Sequence, residues 1–365
     1  MTDERIKQVS ALRRAMIRPE LGATAGTLLV FLFFLLIAGD SGMFAPAGIQ
    51  NWTVVSAQFA IIAVGACLLM IAGEFDISVG SMIGFAGIVI AILSVQWGLP
   101  VWVSILAAFV ICVALGWVNG MLVIKTGLPS FIVTLAFLYI LRGLTIWLSI
   151  LTTRQTIIGG VKDLVQNDWL AFLFGGVVLK DLFAWFADIG LIEKFVAGTR
   201  AGQPVVEGLP MLVVWAVVLV IFGHVLLTRT KFGNWIFASG GDAQAARYVG
   251  VPVARVKILM FMFSAFCACV FATCQVIEFG SAAADRGFMK EFEAIICVVI
   301  GGTLLTGGYG SVIGAALGAI IFGVVQQGLF FTGGESSLFR VFLGTILLGA
   351  VLFNTYIRRM ITGER

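Results

Sequence analysis

Glu74, Asp76 and Ser78 stand together in AGEFDISVGS, residues 72–81, between the apolar runs FAIIAVGACLLMI and MIGFAGIVIAIL. An Asp at the centre of a membrane span costs about 2.5–3.5 kcal/mol on insertion scales, so acids in such a place have a use. One use is a helix start, with Gly73 ending one helix and Asp76 or Ser78 meeting the free N–H groups of the next. The other is a break that lines a path or gate, with Glu74 and Asp76 bonding a passing polar solute or a partner helix. Both readings stand at this point. Asn119, Ser130 and Thr134 offer hydrogen bonds to a hydroxylated solute, or equally across helices. Arg142 is an intramembrane charge that pairs with an acid or snorkels to the surface. Glu291 and Glu293 precede GGTLLTGGYGS, residues 301–311, a second glycine-interrupted segment. One such segment in each half of a chain points to a transport path; a tight glycine turn is the plainer alternative.

Other chemistry lacks its parts. No Gly-Lys dipeptide occurs, which excludes a Walker A loop in this chain. His224 is the one histidine, too few for a multi-histidine metal site. The six cysteines (67, 112, 267, 269, 274 and 297) form no CxxC pair and read as packing residues. There is no G-x-S-x-G elbow and no mixed basic and aromatic stretch suited to nucleic acid. The chain is therefore expected not to be an enzyme and to hold no cofactor or metal of its own.

The elements that position these residues follow from the solvent. Only 12% of the 365 residues are charged and 60% are hydrophobic, against roughly 25% charged in a soluble domain. Continuous apolar runs indicate helices rather than a barrel. The expected fold is an all-α polytopic membrane protein, a single transmembrane domain over residues 1–365. About ten spans are expected, near 22–40, 52–72, 77–95, 101–123, 130–150, 209–228, 257–277, 293–306, 311–331 and 338–357. With both termini cytoplasmic, fourteen of the 23 Lys and Arg face inside and eight outside, five of those in one long loop. The first span follows a basic stretch but is longer than a signal-peptide core, so it reads as a retained anchor. Residues 151–208 read as a periplasmic or interfacial insert. Within it WLAFLFGGVVL is too short to span, and KDLFAWFADIGLIEKF spaces Leu182, Phe186, Ile189 and Ile192 as an interfacial helix would.

The longest hydrophilic cytoplasmic loop is 229–257, RTKFGNWIFASGGDAQAARYVGVPVARVK. Its SGG marks a turn that includes Gly241. Asp242 is a good N-cap for a helix over 243–249, Gly250 suits its stop, and Pro252 lies just beyond. Seven residues do not hold a helix in water alone, so this one needs a docking partner. Small Ala245 and Ala246 permit close approach and Arg247 offers charge.

Four motifs, in order, carry a resemblance. EFDISVGS, GLPSFIVTLAFLYILRG (127–143), ASGGDAQAARYVGVPVARVK (238–257) and EFEAIICVVIGGTLLTGGYGSVIGA (291–315) resemble the signatures of the permease subunits of bacterial ABC importers for simple sugars. The resemblance covers roughly residues 50–357. Asp242 stands where the family has Asn, Glu293 where it has Asp, and Leu305 removes a hydroxyl. The resemblance implies a second permease copy as a homodimer, in the bacterial inner membrane. It implies cytoplasmic ATPase subunits that carry ATP and Mg and dock on the 243–249 helix, and a periplasmic sugar-binding protein that delivers the cargo. Related permeases serve nucleosides and branched-chain amino acids. A secondary carrier, with many spans but no docking helix, is a further alternative.

Overall fold

The computed structural model describes residues 19–165, 168–196, 200–334, 338–349 and 352. The terminal basic residues used in the charge count and the end of the last expected span lie outside them. The long helices in the first half are α1 (Pro19–Ala38), α2 (Pro46–Ile71), α3 (Val79–Ala91, continued by a π-turn over Ile92–Gln96), α4 (Val101–Thr126) and α5 (Ser130–Thr153). Three short helices follow: α6 (Val161–Val165), α7 (Trp169–Gly175) and α8 (Lys180–Asp188). The second half holds α9 (Met211–Arg229), α10 (Lys231–Gly241), α11 (Ala243–Tyr248), α12 (Val253–Phe279), α13 (Lys290–Ile300), α14 (Val312–Phe331) and α15 (Leu338–Gly349). Eight of these are long and apolar enough to cross a membrane: α1, α2, α3 with its π-turn, α4, α5, α9, α12 and α14.

Proline sets most of the helix starts. Six of the seven prolines lie at a boundary: Pro19 and Pro46 open α1 and α2, and Pro100, Pro129, Pro210 and Pro252 immediately precede α4, α5, α9 and α12. Proline lacks an N–H that the first turn would leave unpaired anyway, and it holds the preceding residue out of the helical region.

Helices α2 and α12 form the centre, each buried along most of its length and apolar all round there, with the charges of α12 near its ends. They run antiparallel. Gly65 of α2 lies against Ser264 and Cys267 of α12, and Glu74, beyond α2, lies against Lys257 near the start of α12. On α4, Gly116 and Gly120 sit one turn apart against Phe261 and Ile258 of α12. A Cβ at Gly116 would lie 2.7 Å from the Phe261 carbonyl oxygen. This small-xxx-small spacing lets two membrane helices touch by backbone. All six cysteines are free and buried.

Two departures from the sequence expectation matter. The expected span at 293–306 is not one helix: α13 covers eleven residues and ends at Ile300, and 301–311 is irregular. Gly302, Gly307 and Gly308 take φ of +89°, +79° and +72°, a conformation that ends a helix and that L side chains resist. The SGG segment, expected as a turn, is instead the last turn of α10.

Inside the bundle, two spans are interrupted. Residues 72–78 are non-helical between α2 and α3. Residues 280–289, between α12 and α13, carry the strand Ala282–Ala283, which pairs antiparallel with Ile157–Ile158. The second interruption descends alongside α3. Ala282 lies by Gly87, Ala284 by Gly84, and Gly287 and Glu291 by Gly80. The described residues of 154–210 pack at the end of the bundle where α4 and α9 begin and α12 ends. Asp168 accepts from the Trp102 N–H at 2.8 Å, Trp215 Nε1 donates to the Leu173 carbonyl at 2.7 Å, and Gly175 meets Ile277. The expected interfacial helix is α8; it stops at Asp188. Leu182, Trp185 and Ile189 are exposed, whereas Ile192 is buried beyond the helix.

Candidate functional site

Extended backbone inside a helical bundle must find hydrogen bonds, since no sheet supplies them. Around residues 73–78 four side chains from neighbouring helices supply or extend them. Ser130 and Thr134, one turn apart on α5, accept from the N–H groups of Phe75 and Ile77 at 3.0 and 3.3 Å. Two N–H groups two residues apart in this irregular segment thus meet two hydroxyls one turn apart on the helix. Asp76 Oδ1 accepts from the backbone N–H of Ser78 at 2.9 Å and from its hydroxyl at 2.6 Å. Ser264 of α12 donates to Asp76 Oδ2 at 3.2 Å, and Asn119 of α4 donates to Ser78 Oγ at 3.1 Å. Glu74 Oε1 meets Lys257 Nζ at 2.5 Å, with only 11% and 12% of the two side chains exposed. Gly73, at φ +85°, turns the chain out of α2.

Glu74, Asp76, Ser78, Asn119, Ser130 and Thr134, scattered over sixty residues of sequence, therefore converge on one seven-residue stretch. Ser78 is the N-cap residue of α3 but makes no side-chain cap bond; its hydroxyl goes to Asp76 instead. Sequence reasoning missed Lys257 and Ser264. They lie seven residues apart, two turns along one face of α12, and that spacing was the available signal.

Arg142, Glu291 and Glu293 form a second group across the first turn of α3. Glu291 is 2% exposed, and its Oε2 has no hydrogen-bond partner among the described residues. A side chain at Gly80 would collide with the Glu291 carboxylate. Glu293 pairs with Lys290 at 2.6 Å, and Lys290 Nζ also lies 4.6 Å from the centre of the Phe59 ring. The Arg142 guanidinium stands 4.8 Å from the centre of the Phe288 ring, a cation–π contact.

The third group is at the opposite end from the 154–210 insert. Thr230 caps α10 by accepting from the Gly233 N–H at 3.1 Å. Asp242 caps α11, accepting from the N–H groups of Gln244 and Ala245, each at 2.9 Å. Gly250, at φ +87°, ends it, with the Val251 N–H donating to the Ala246 carbonyl. Ala246 is buried against its own chain, so the outward face consists of Ala245, Arg247, Tyr248 and Val249, the last two 83% and 80% exposed. Gly241 and its neighbours join this segment to the interior. The Gly308 N–H donates to the Ile71 carbonyl at 2.9 Å. A Cβ at Gly240 would collide with that same carbonyl, and one at Gly307 would lie 2.8 Å from the Gly73 Cα. Three backbones thus touch without side chains between them: the end of α2, the end of α10 and the loop after α13. Ser311, which caps α14, donates to Glu20 Oε1 at 2.7 Å. Burial, and secondarily the Glu20 carboxylate, push the neighbouring Tyr309 hydroxyl above the usual phenol range. Among the described residues no cluster of three His, Cys, Asp or Glu side chains is placed to hold a metal ion.

Eight spanning-length helices with two interrupted spans that meet inside the bundle define a multi-pass membrane protein of transport type. Residues 48–351 match the family model described as "Branched-chain amino acid transport system / permease component", and the chain belongs to that family. It is 32% identical over 321 residues to the xylose transport system permease protein of Escherichia coli, covering 81% of each chain. It is 30% identical over 272 residues to the ribose import permease protein of the same organism, covering 73% of each. Over 301 residues it is 26% identical to the fructose import permease protein of Bifidobacterium longum, covering 81% of this chain and 80% of that one.

Proposed function

We propose that this chain is the permease subunit of an ATP-driven, binding-protein-dependent importer of a monosaccharide or similar polyol in a bacterial inner membrane. The observation that carries the reading is the Asp242-capped helix α11. It is too short to stand alone, exposes Tyr248 and Val249, and is tied by glycine backbone to both interrupted spans. Cytoplasmic ATPase subunits dock on Ala245, Arg247, Tyr248 and Val249. Their closure on ATP displaces α10 and α11. Through Gly240, Gly73 and Gly307 that displacement reaches the 72–78 break and the 301–311 loop, which switches the path between its two faces. The positive-inside count, with Arg229, Lys231, Arg247 and Arg255 at this end, supports a cytoplasmic location for it and for both termini. The insert then faces the periplasm, where a sugar-binding protein delivers the cargo, and two copies of the chain enclose the path. The names of the relatives favour a sugar over an amino acid.

Purification of the tagged chain from its host in mild detergent, with mass spectrometry of what accompanies it, tests this. The expected companion is an ATPase with a Walker A loop, lost in Ala245→Trp. Recovery of the chain without any ATPase, under conditions that preserve known complexes, would turn the reading toward a secondary carrier.

A further inference from the structure

The second interruption places an aromatic and charged surface at mid-membrane depth. Arg142 is twelve residues from Ser130 and eleven from Thr153, the ends of the 24-residue α5. That is about 18 and 16 Å along the axis, close to the middle. The Arg142 guanidinium covers the ring of Phe288, so Phe288 lies at the same depth although α12 has already ended at Phe279. Phe288, two residues before α13, is 57% exposed, and Phe292, in the first turn of α13, 44%. Tyr139, one turn before Arg142, is exposed too. In the first turn of α13 the Lys290–Glu293 pair stays partly exposed, at 24% and 19%.

Hydrocarbon does not tolerate such a surface. A guanidinium, an ammonium and a carboxylate that are all incompletely buried at the centre of a span are costly unless they face water. Exposed helices that do suit lipid look different: Leu28, Leu29, Leu32, Leu35 and Leu36 of α1 carry no charge among them. The composition of the wet surface also selects its ligand. Aromatic rings take the C–H faces of a sugar ring, while a carboxylate and a guanidinium take its hydroxyls. A neutral sugar ring satisfies both at once, whereas a branched-chain amino acid would pair its own carboxylate and ammonium with the charges but offers the phenyl rings no ring face to stack on.

We infer that Phe288 and Phe292, with Arg142 over the Phe288 ring and Glu293 next along α13, form the mid-membrane station of the translocation path, on which the pyranose or furanose ring of a neutral monosaccharide stacks. This rests on the importer reading given above and assigns the cargo contact within it.

Two measurements test it. In the first, Phe288→Cys and Phe292→Cys are placed singly in the full chain, whose native cysteines are buried. The chain in lipid nanodiscs is treated with a charged methanethiosulfonate, which reacts only with a thiolate in water. Both variants are expected to react at least about tenfold faster than Leu29→Cys on α1. High D-xylose, D-ribose or D-fructose slows that reaction, and L-leucine does not. Reaction no faster than at Leu29→Cys would overturn the wet surface. Fast reaction that no sugar slows would overturn the sugar contact. In the second, Phe288→Ala and Phe292→Ala in host cells lower sugar uptake about tenfold, while Phe288→Tyr restores it and the co-purifying ATPase is unchanged. Normal uptake by both alanine variants sinks this inference and leaves the importer reading intact. Failure of the wild-type chain to import these three sugars or any of a panel of other monosaccharides and polyols sinks the importer reading, and the labelling rates still report whether the surface is wet.

Discussion

Replacing Glu74 by Gln removes one half of the ion pair with Lys257 and leaves an ammonium that is 12% exposed with no opposite charge. Removing one partner of a buried pair costs about 3–5 kcal/mol, because the remaining charge stays desolvated. For 365 residues and about 2.1 cal/mol/K of unfolding entropy per residue, each kcal/mol is about 1.3 °C, so the expected fall in Tm is about 4–7 °C. Lys257→Met strands the carboxylate and should cost the same. Glu74→Gln with Lys257→Met removes both charges and should recover to within about 2 °C of wild type. The protein carries its own probe, since its cysteines are free and buried and become reactive to a fluorogenic thiol dye on unfolding. A heating scan of the four proteins in detergent with that dye completes the cycle. Additive losses, with the double variant about 8–14 °C below wild type, would refute a coupled buried pair.

Three further outcomes follow from the same geometry. Ser130→Ala with Thr134→Val leaves the Phe75 and Ile77 N–H groups unpaired, at about 1–3 kcal/mol each; the same scan should show a fall of about 3–8 °C, and an unchanged Tm would mean that the 72–78 segment finds other partners. Gly240→Ala drives a methyl group into the Ile71 carbonyl, so sugar uptake by host cells should fall at least about tenfold while the ATPase still co-purifies; normal uptake would show that the junction transmits nothing. Asp242→Ala removes the two cap bonds of α11, worth about 1 kcal/mol; ATPase binding should weaken about fivefold with Tm lower by only about 1 °C, and wild-type affinity in a titration would separate the cap from docking.

The sequence made the fold class and most helix starts legible because the bilayer and proline act locally. A run near twenty apolar residues states its own length, and six prolines mark six starts. What it hid was tertiary. The eighth expected span looked continuous because residues 293–306 are apolar enough, yet α13 ends at Ile300, and the glycines at 302, 307 and 308 take positive φ that keeps the helix from resuming. SGG looked like a turn because glycine and serine favour one; packing of Ile236 and Ser239 against the bundle holds it helical. The candidate polar residues could be named from type and spacing alone. Their partners could not, because Glu74 and Lys257 lie 183 residues apart and meet only where α2 and α12 pack. Ala246, expected to face a partner, is turned inward by the Asp242 cap and the Gly250 stop, which fix the rotation of so short a helix.

The central claim is that a sugar crosses through this chain under the control of the α10–α11 segment. Uptake of radiolabelled D-xylose, D-ribose and D-fructose by host cells lacking the chain tests it most directly. The cells are complemented either with wild type or with a variant in which a glycine-serine linker replaces Gly241–Arg247. Wild type is predicted to restore uptake of at least one sugar. The linker variant, present in the membrane in equal amount, is predicted to restore none. Equal uptake from both would mean that the α10–α11 segment does not control transport.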